Sequence, residues 1–188
     1  MGYPKALLPL GDHTFVMRIL SVLHELDLDV PTIVLGKHAE QIREAVSSQG
    51  VRIIINPNPE NGQISSIRVA IAALDPACPG CLIWPVDQPM VSRSLVGELA
   101  RVFTSSHSPM IIPRCGETRG HPVIVSRQLF PELLASPLEE GLKTLVRKYA
   151  QRITMVPTDE TASIEDIDTP EDYFRLTGTT LEQALIKD

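Results

Sequence analysis

Leu82-Ile83-Trp84-Pro85-Val86-Asp87-Gln88-Pro89 is an apolar run that stops at a carboxylate held between prolines. Consecutive apolar side chains leave no face for water, so the run reads as a strand covered on both sides. An aspartate where such a strand emerges stands at the carboxyl end of a sheet, where open α/β sheets bind ligands. Asp87 can hold Mg²⁺ there against ligand phosphates. The same residue also suits the cap of the following turn.

Runs of the same kind recur on either side. Residues 32–35 end at Gly36, 51–55 at Asn56-Pro57 and 110–112 at Pro113, and 123–125 and 153–156 complete the set. Between them lie helical patterns. Phe15, Ile19, Val22, Leu23 and Leu26 share one face. Further helices are predicted over 38–46, 65–74, 94–103, 129–134 and 138–149. A last helix opens at Pro170, where a missing N–H costs nothing, with Thr169 as N-cap and Asp172 favouring the helix start. Alternating strands and helices predict an α/β fold, a mostly parallel sheet with helices on both faces. The carboxyl-end rule selects the segments after Leu35, Ile55, Val86 and Ile112.

The 188 residues suit one domain spanning 1–188, and no linker or repeat divides them. Hydrophobic residues are 43%, so a core is available, and aromatics are 4%, so it is built from Leu, Ile, Val and Ala. A net charge of −6 argues against binding nucleic acid or anionic membrane through bulk charge. No apolar run reaches the about 18 residues of a membrane helix, and the N-terminus lacks a signal-peptide core. Three cysteines are too few for a disulfide scaffold. A cytoplasmic protein is expected.

Other segments carry chemistry-bearing side chains. In Glu165-Asp166-Ile167-Asp168-Thr169-Pro170-Glu171-Asp172, alternate spacing puts Asp166 and Asp168 on one side of an extended segment. One of them is suited to join Asp87 on a metal; a solvated helix entrance is the plainer alternative. Met1-Gly2-Tyr3-Pro4-Lys5 places a lysine where it can neutralise phosphate as a point charge, or simply sit in water. The polar stretch from Asn56 leads to Ser65 and Ser66, which suit a helix cap or contact with a nucleotide base. His121, in Arg119-Gly120-His121-Pro122, suits proton transfer or substrate orientation as well as a structural role. Cys78-Pro79-Gly80-Cys81 has redox spacing, but it precedes a strand. Such thiols are activated at a helix start.

Taken together, these segments resemble the molybdopterin nucleotidyltransferase-like family of glycosyltransferase-A folds, closest to the molybdenum-cofactor cytidylyltransferases. The resemblance rests on Met1-Gly2 through Leu10, Asn56-Pro57 with Gly62 and Ser65-Ser66, Pro85-Val86-Asp87-Gln88-Pro89, Gly120-His121-Pro122-Val123, and Asp166 through Asp172. These come in the family's order and span nearly the whole chain. The resemblance implies a three-layer α/β/α, Rossmann-like fold. It also implies Mg²⁺-dependent transfer of a nucleotidyl group from a nucleoside triphosphate, CTP favoured, to a phosphorylated acceptor, with release of pyrophosphate. Molybdopterin is the first acceptor to consider, and a sugar or alcohol phosphate the alternative. Lys5 then touches the triphosphate, and Asp87 and Asp168 hold the metal, with Asp166 second to Asp168. Gly2, Lys5, Ser65, Ser66 and Asp87 face the nucleotide, and Gly120, His121 and Pro122 face the acceptor. In-line phosphoryl chemistry needs positioning and charge neutralisation more than a covalent residue, so a lysine with metal-binding carboxylates suffices.

Family members carry a strand and a glycine-rich phosphate loop before the position of Met1. The resemblance therefore implies a domain without that strand and loop, with weak triphosphate binding and possible self-association. A nucleotide- or cofactor-binding module and an inactive truncated domain are the competing classes, and pyrophosphate release separates them from the enzyme.

Overall fold

The computed structural model describes residues 3–36, 38–135 and 141–186. A short hairpin, β1 (Pro9–Leu10) and β2 (His13–Thr14), precedes α1 (Phe15–Glu25). Then come β3 (Thr32–Leu35), α2 (Ala39–Ala45), β4 (Arg52–Ile55), α3 (Gln63–Ala72), β5 (Gly80–Ile83) and α4 (Arg93–Ser105). The second half holds β6 (Met110–Cys115), β7 (Thr118–Arg119), β8 (Val123–Ser126), α5 (Phe130–Ala135), α6 (Leu142–Lys148), β9 (Thr154–Thr158), α7 (Pro170–Thr177) and α8 (Leu181–Leu185). The first residues of the helix expected over 138–149 lie outside the described residues.

The α/β class expected from the alternation is the one observed. β3 and β4 pair in parallel, Thr32 opposite Arg52. In the larger sheet β5 and β6 each run antiparallel to β8, and β9 runs parallel to β6. Hence β5, β6 and β9 share one direction and β8 alone, with the two-residue β7, runs against them.

Side chains of the central strands alternate between two cores, which makes three layers. Met110, Ile112, Val123 and Val125 meet Ile67 and Ile71 of α3, Phe130 and Leu133 of α5 and Leu145 of α6. The intervening Ile111 and Ile124 meet Val22 of α1 and Leu95, Val96 and Leu99 of α4. This is why these strands read as unbroken apolar runs.

Two helices tie the smaller sheet to the larger. On one face α1 packs Val16 and Leu20 against Ile33 and Leu35, and Val22 and Leu26 against Leu82 and Trp84. On the other, α3 lies against β3 and sends Ile67 and Ile71 into the cluster holding Cys81 and Ile83. Among the described residues no ladder joins β3–β4 to β5. Ile33 and Val34 of β3 and Leu82 and Ile83 of β5 are half-buried.

Two boundaries differ from the sequence reading. β5 starts at Gly80 and stops at Ile83, because Pro85 has no N–H to continue a ladder. α3 starts at Gln63 with Gly62 (φ 75°) as its N-cap, so Ser65 and Ser66 sit inside its first turn and do not cap it.

Candidate functional site

Lys5 opens a single 3₁₀ turn after Pro4, anchored by the buried Leu8 against Phe15, Ile167 and Tyr173. The Tyr173 hydroxyl donates to the Pro9 carbonyl at 2.8 Å and ties this segment to α7. Asp87 follows β5 in a turn closed by Trp84 Nε1–H donating to the Gln88 carbonyl at 2.9 Å. Ile167 N–H donates to the Asp87 carbonyl at 3.0 Å, which binds the 166–168 segment to that turn. Three distant stretches of chain thus meet beyond the end of β5.

Their side chains converge on the Lys5 ammonium. It contacts Asp87 Oδ2 at 3.4 Å and also pairs with Asp168 Oδ1. Burial alone pushes the Lys5 pKa down, and the carboxylates of Asp168 and Asp87 more than offset it, so the net shift is upward and the group stays charged. The Asp168 side chain is 60% exposed and that of Asp87 26%, so the cluster opens to solvent on the Asp168 side. Asp87 Oδ1 is buried and has no hydrogen-bond partner. A buried carboxylate oxygen without a donor calls for a cation or an added N–H. The lysine ammonium stands between the two carboxylates as a cation already. The unpartnered Asp87 oxygen leaves room for a further cation or donor, while the Lys5 ammonium already pairs with both carboxylates.

Asp166 goes elsewhere. Its Oδ1 accepts from Gln88 Nε2 at 2.7 Å, while Asp168 faces Lys5. Gln88 is itself buried, and its Oε1 has no partner. The two aspartates that spacing places on one side therefore do different things.

Gly120, His121 and Pro122 join the same region through Ser163. His121 N–H donates to the Ser163 carbonyl at 2.7 Å. A Cβ on Gly120 would lie 2.3 Å from that carbonyl oxygen, so only glycine fits. The His121–Pro122 peptide is cis. Burial lowers the His121 pKa, and the Asp166 and Asp87 charges only partly oppose this. Nothing in the spacing of the chain marks Ser163, since its contribution is a backbone carbonyl.

Ser65 and Ser66 form a second cluster. The buried Asn56 donates through Nδ2 to both hydroxyls, at 2.7 and 2.9 Å, and Ser65 Oγ–H reaches the Gly62 carbonyl at 2.7 Å. No bond links this cluster to Lys5, Asp87 or Asp168 among the described residues. Gly2 lies outside the described residues.

A Rossmann-like α/β sheet of the glycosyltransferase-A kind, with charged residues gathered at its carboxyl rim, defines the class. Within that class the chain belongs to the MobA-like NTP transferase domain family, whose model matches residues 1–153, and it is a nucleotidyltransferase. It is 27% identical over 180 residues, 92% of this chain and 87% of the relative, to nicotine blue oxidoreductase of Paenarthrobacter nicotinovorans. The crystal structure of Rv0371c from Mycobacterium tuberculosis H37Rv superposes with a TM-score of 0.82 at 27% identity, covering 95% of this chain and 91% of that one. The manganese complex of Rv0371c superposes with a TM-score of 0.80 at 28% identity, over 95% and 94% of the two chains. Among the described residues no helix is long and apolar enough to cross a membrane.

Proposed function

We propose that this chain transfers a nucleotidyl group from a nucleoside triphosphate, CTP first, to a phosphorylated acceptor of the molybdopterin class. The observation that carries the reading is the meeting of Lys5, Asp87 and Asp168 beyond β5, with one buried Asp87 oxygen unpartnered. An acceptor phosphate oxygen attacks the α-phosphorus, the bond to the β-phosphate oxygen breaks, and pyrophosphate leaves. A divalent cation, Mg²⁺ in this reading, supplies charge neutralisation on the triphosphate when bound. Asp87 and Asp168 hold it, and Lys5 adds a further positive charge for the phosphates. Gly120, His121 and Pro122 shape the acceptor side. Ser65 and Ser66, fixed by Asn56, face the nucleotide. Manganese in the crystals of Rv0371c supports a divalent site in that protein and, by similarity, here.

The experiment is pyrophosphate release across CTP, GTP and UTP with Mg²⁺ or Mn²⁺. Asp87→Asn keeps the side-chain volume and removes the charge. It is expected to lower turnover on the order of 10²–10³-fold, the scale of losing one preorganised electrostatic contact, with the unfolding midpoint unchanged. Release that is indifferent to this substitution sinks the reading.

A second reading, oxidoreduction, is favoured by the name of the P. nicotinovorans relative. The redox-spaced thiols do not support it. Cys81 lies within β5, while Asp87 lies beyond that strand's far end. Burial, then the neighbouring Cys78, pushes the Cys81 thiol up to about 12, which keeps it protonated.

A further inference from the structure

Arg114 and Arg119 occupy directly opposed positions in the antiparallel pairing of β6 with β7. Opposed residues in such a pair project from the same face with their Cβ atoms close together, and like charges there repel. Neither guanidinium makes a hydrogen bond or ion pair among the described residues. Arg114 is half-buried and its Nε–H has no acceptor. Arg119 is exposed, but a buried guanidinium N–H without an acceptor is unusual, because each donor given up by water must find a replacement.

Beside Arg114 lies a hollow of about 300 Å³, lined by Arg114, Gly116, Pro157, Thr158 and Asp159. It sits where the parallel strands β6 and β9 both end, on the rim that carries Asp87 beyond β5. Chain connectivity ties the two places together. Arg119 leads through Gly120 into His121, whose ring feels the charges of Asp166 and Asp87. The Thr158 hydroxyl accepts from Glu160 N–H at 3.1 Å, which leaves its own hydrogen free to donate. Asp159 sets the limit on what enters: an anion must bind on the arginine side, and a hydroxyl of the same molecule can donate to the carboxylate.

We propose that Arg114 and Arg119 form a two-arginine clamp for the phosphate monoester of the acceptor. Paired guanidinium groups match a phosphate dianion with parallel N–H···O bonds, and the ligand supplies the counter-charge that the opposed arginines lack. The inference rests on the nucleotidyltransferase reading for its choice of ligand: the clamp receives the acceptor phosphate on the same strand-end rim as Asp87 and presents the oxygen that attacks the α-phosphorus.

The test uses phenyl phosphate as probe, with titration calorimetry on wild type, Arg119→Gln, Arg114→Lys and the double Arg114→Gln/Arg119→Gln variant. CTP with Mg²⁺ is titrated in parallel, and Lys5→Gln serves as the comparison. Arg119→Gln changes an exposed side chain, so it stays interpretable if Arg114 variants fold poorly. Expected is phenyl phosphate binding that weakens at least about five-fold in Arg119→Gln, disappears in the double variant and persists in Lys5→Gln. CTP affinity should be the same as wild type in all three arginine variants and lower in Lys5→Gln. Equal phenyl phosphate affinity in wild type and double variant overturns the clamp, as does absence of binding to wild type. Benzoate binding as tightly as phenyl phosphate overturns the phosphate assignment. Loss of CTP binding in every form, wild type included, would strike the nucleotidyltransferase reading while leaving the clamp to stand or fall on phenyl phosphate.

Discussion

His121 is the residue whose environment gives the most direct pH signature. Burial lowers its pKa below the ordinary 6.5, and the charges of Asp166 and Asp87 recover only part of the shift. The sign follows from linkage. Above 6.5 the imidazole is neutral in both folded and unfolded chains, so its contribution to stability is fully present. Below 6.5 the unfolded chain takes up the proton first, and that contribution is lost as pH falls through the folded value. His121→Asn should therefore flatten the decline of the unfolding midpoint between pH 7 and pH 5.5. Thermal melts across that window check it, and superimposable curves for the two proteins would show that burial does not hold His121 neutral. At this scale Lys5, Asp87 and Asp168 were legible because each sits in a short motif at a strand or helix boundary. The partition of the two aspartates was not. Spacing puts Asp166 and Asp168 on one side, but only the fold brings Gln88 within 2.7 Å of the first and Lys5 against the second. Ser65 and Ser66 read as caps because serine is a good cap; Gly62, at φ 75°, takes that place three residues before Ser65.

At the scale of elements, α7 controls one of the two carboxylates. Thr169 Oγ1 accepts from Asp172 N–H at 3.1 Å, and Asp172 Oδ2 accepts from Thr169 N–H at 3.0 Å, a reciprocal capping box. The same Asp172 oxygen accepts from Asp168 N–H at 3.2 Å, so the cap also fixes the backbone that carries Asp168. Thr169→Ala is expected to cost about 1 kcal/mol, the usual loss for such a cap. In a chain of this length that lowers the unfolding midpoint by about 2–4 °C, and Thr169→Ser should restore it. Calorimetry of the three proteins settles the point, and an unchanged midpoint in the alanine variant would remove α7's cap from the account. The start of this helix was readable from Thr169, Pro170 and Asp172, because capping is local chemistry. Strand ends were less so. β6 runs on through Pro113, which falls between its ladder with β8 at 110–111 and its ladder with β7 at 114–115. There a missing N–H breaks neither ladder, but only tertiary pairing reveals that.

For the whole molecule, the seam between β3 and β5 is the feature with the widest consequences. α1 and α3 bridge it on opposite faces, yet no backbone ladder crosses it among the described residues. Each bordering strand has one paired side: β3 on β4 and β5 on β8. Ile33 and Val34 of β3 and Leu82 and Ile83 of β5 are half-buried. The break between the two ladders is the place in this fold where a further strand would pair. Unmet backbone groups cost about 1–3 kcal/mol each when buried. Even a few of them are large against a domain's margin of about 5–15 kcal/mol. The 188-residue chain is therefore expected either to pair this seam with a second copy or to melt at least about 5 °C below a form carrying one added strand. The comparison fuses one designed strand and a glycine-rich loop ahead of Met1 and measures the unfolding midpoint, the sedimentation coefficient and CTP affinity on both forms. The longer form should be monomeric, more stable and tighter for CTP, because a loop of amide donors joins Lys5 at the phosphates. A short form that is monomeric, equally stable and equally tight for CTP would mean that the edges of β3 and β5 need no further strand. The seam would then be a finished boundary between two sheets held together by α1 and α3 alone.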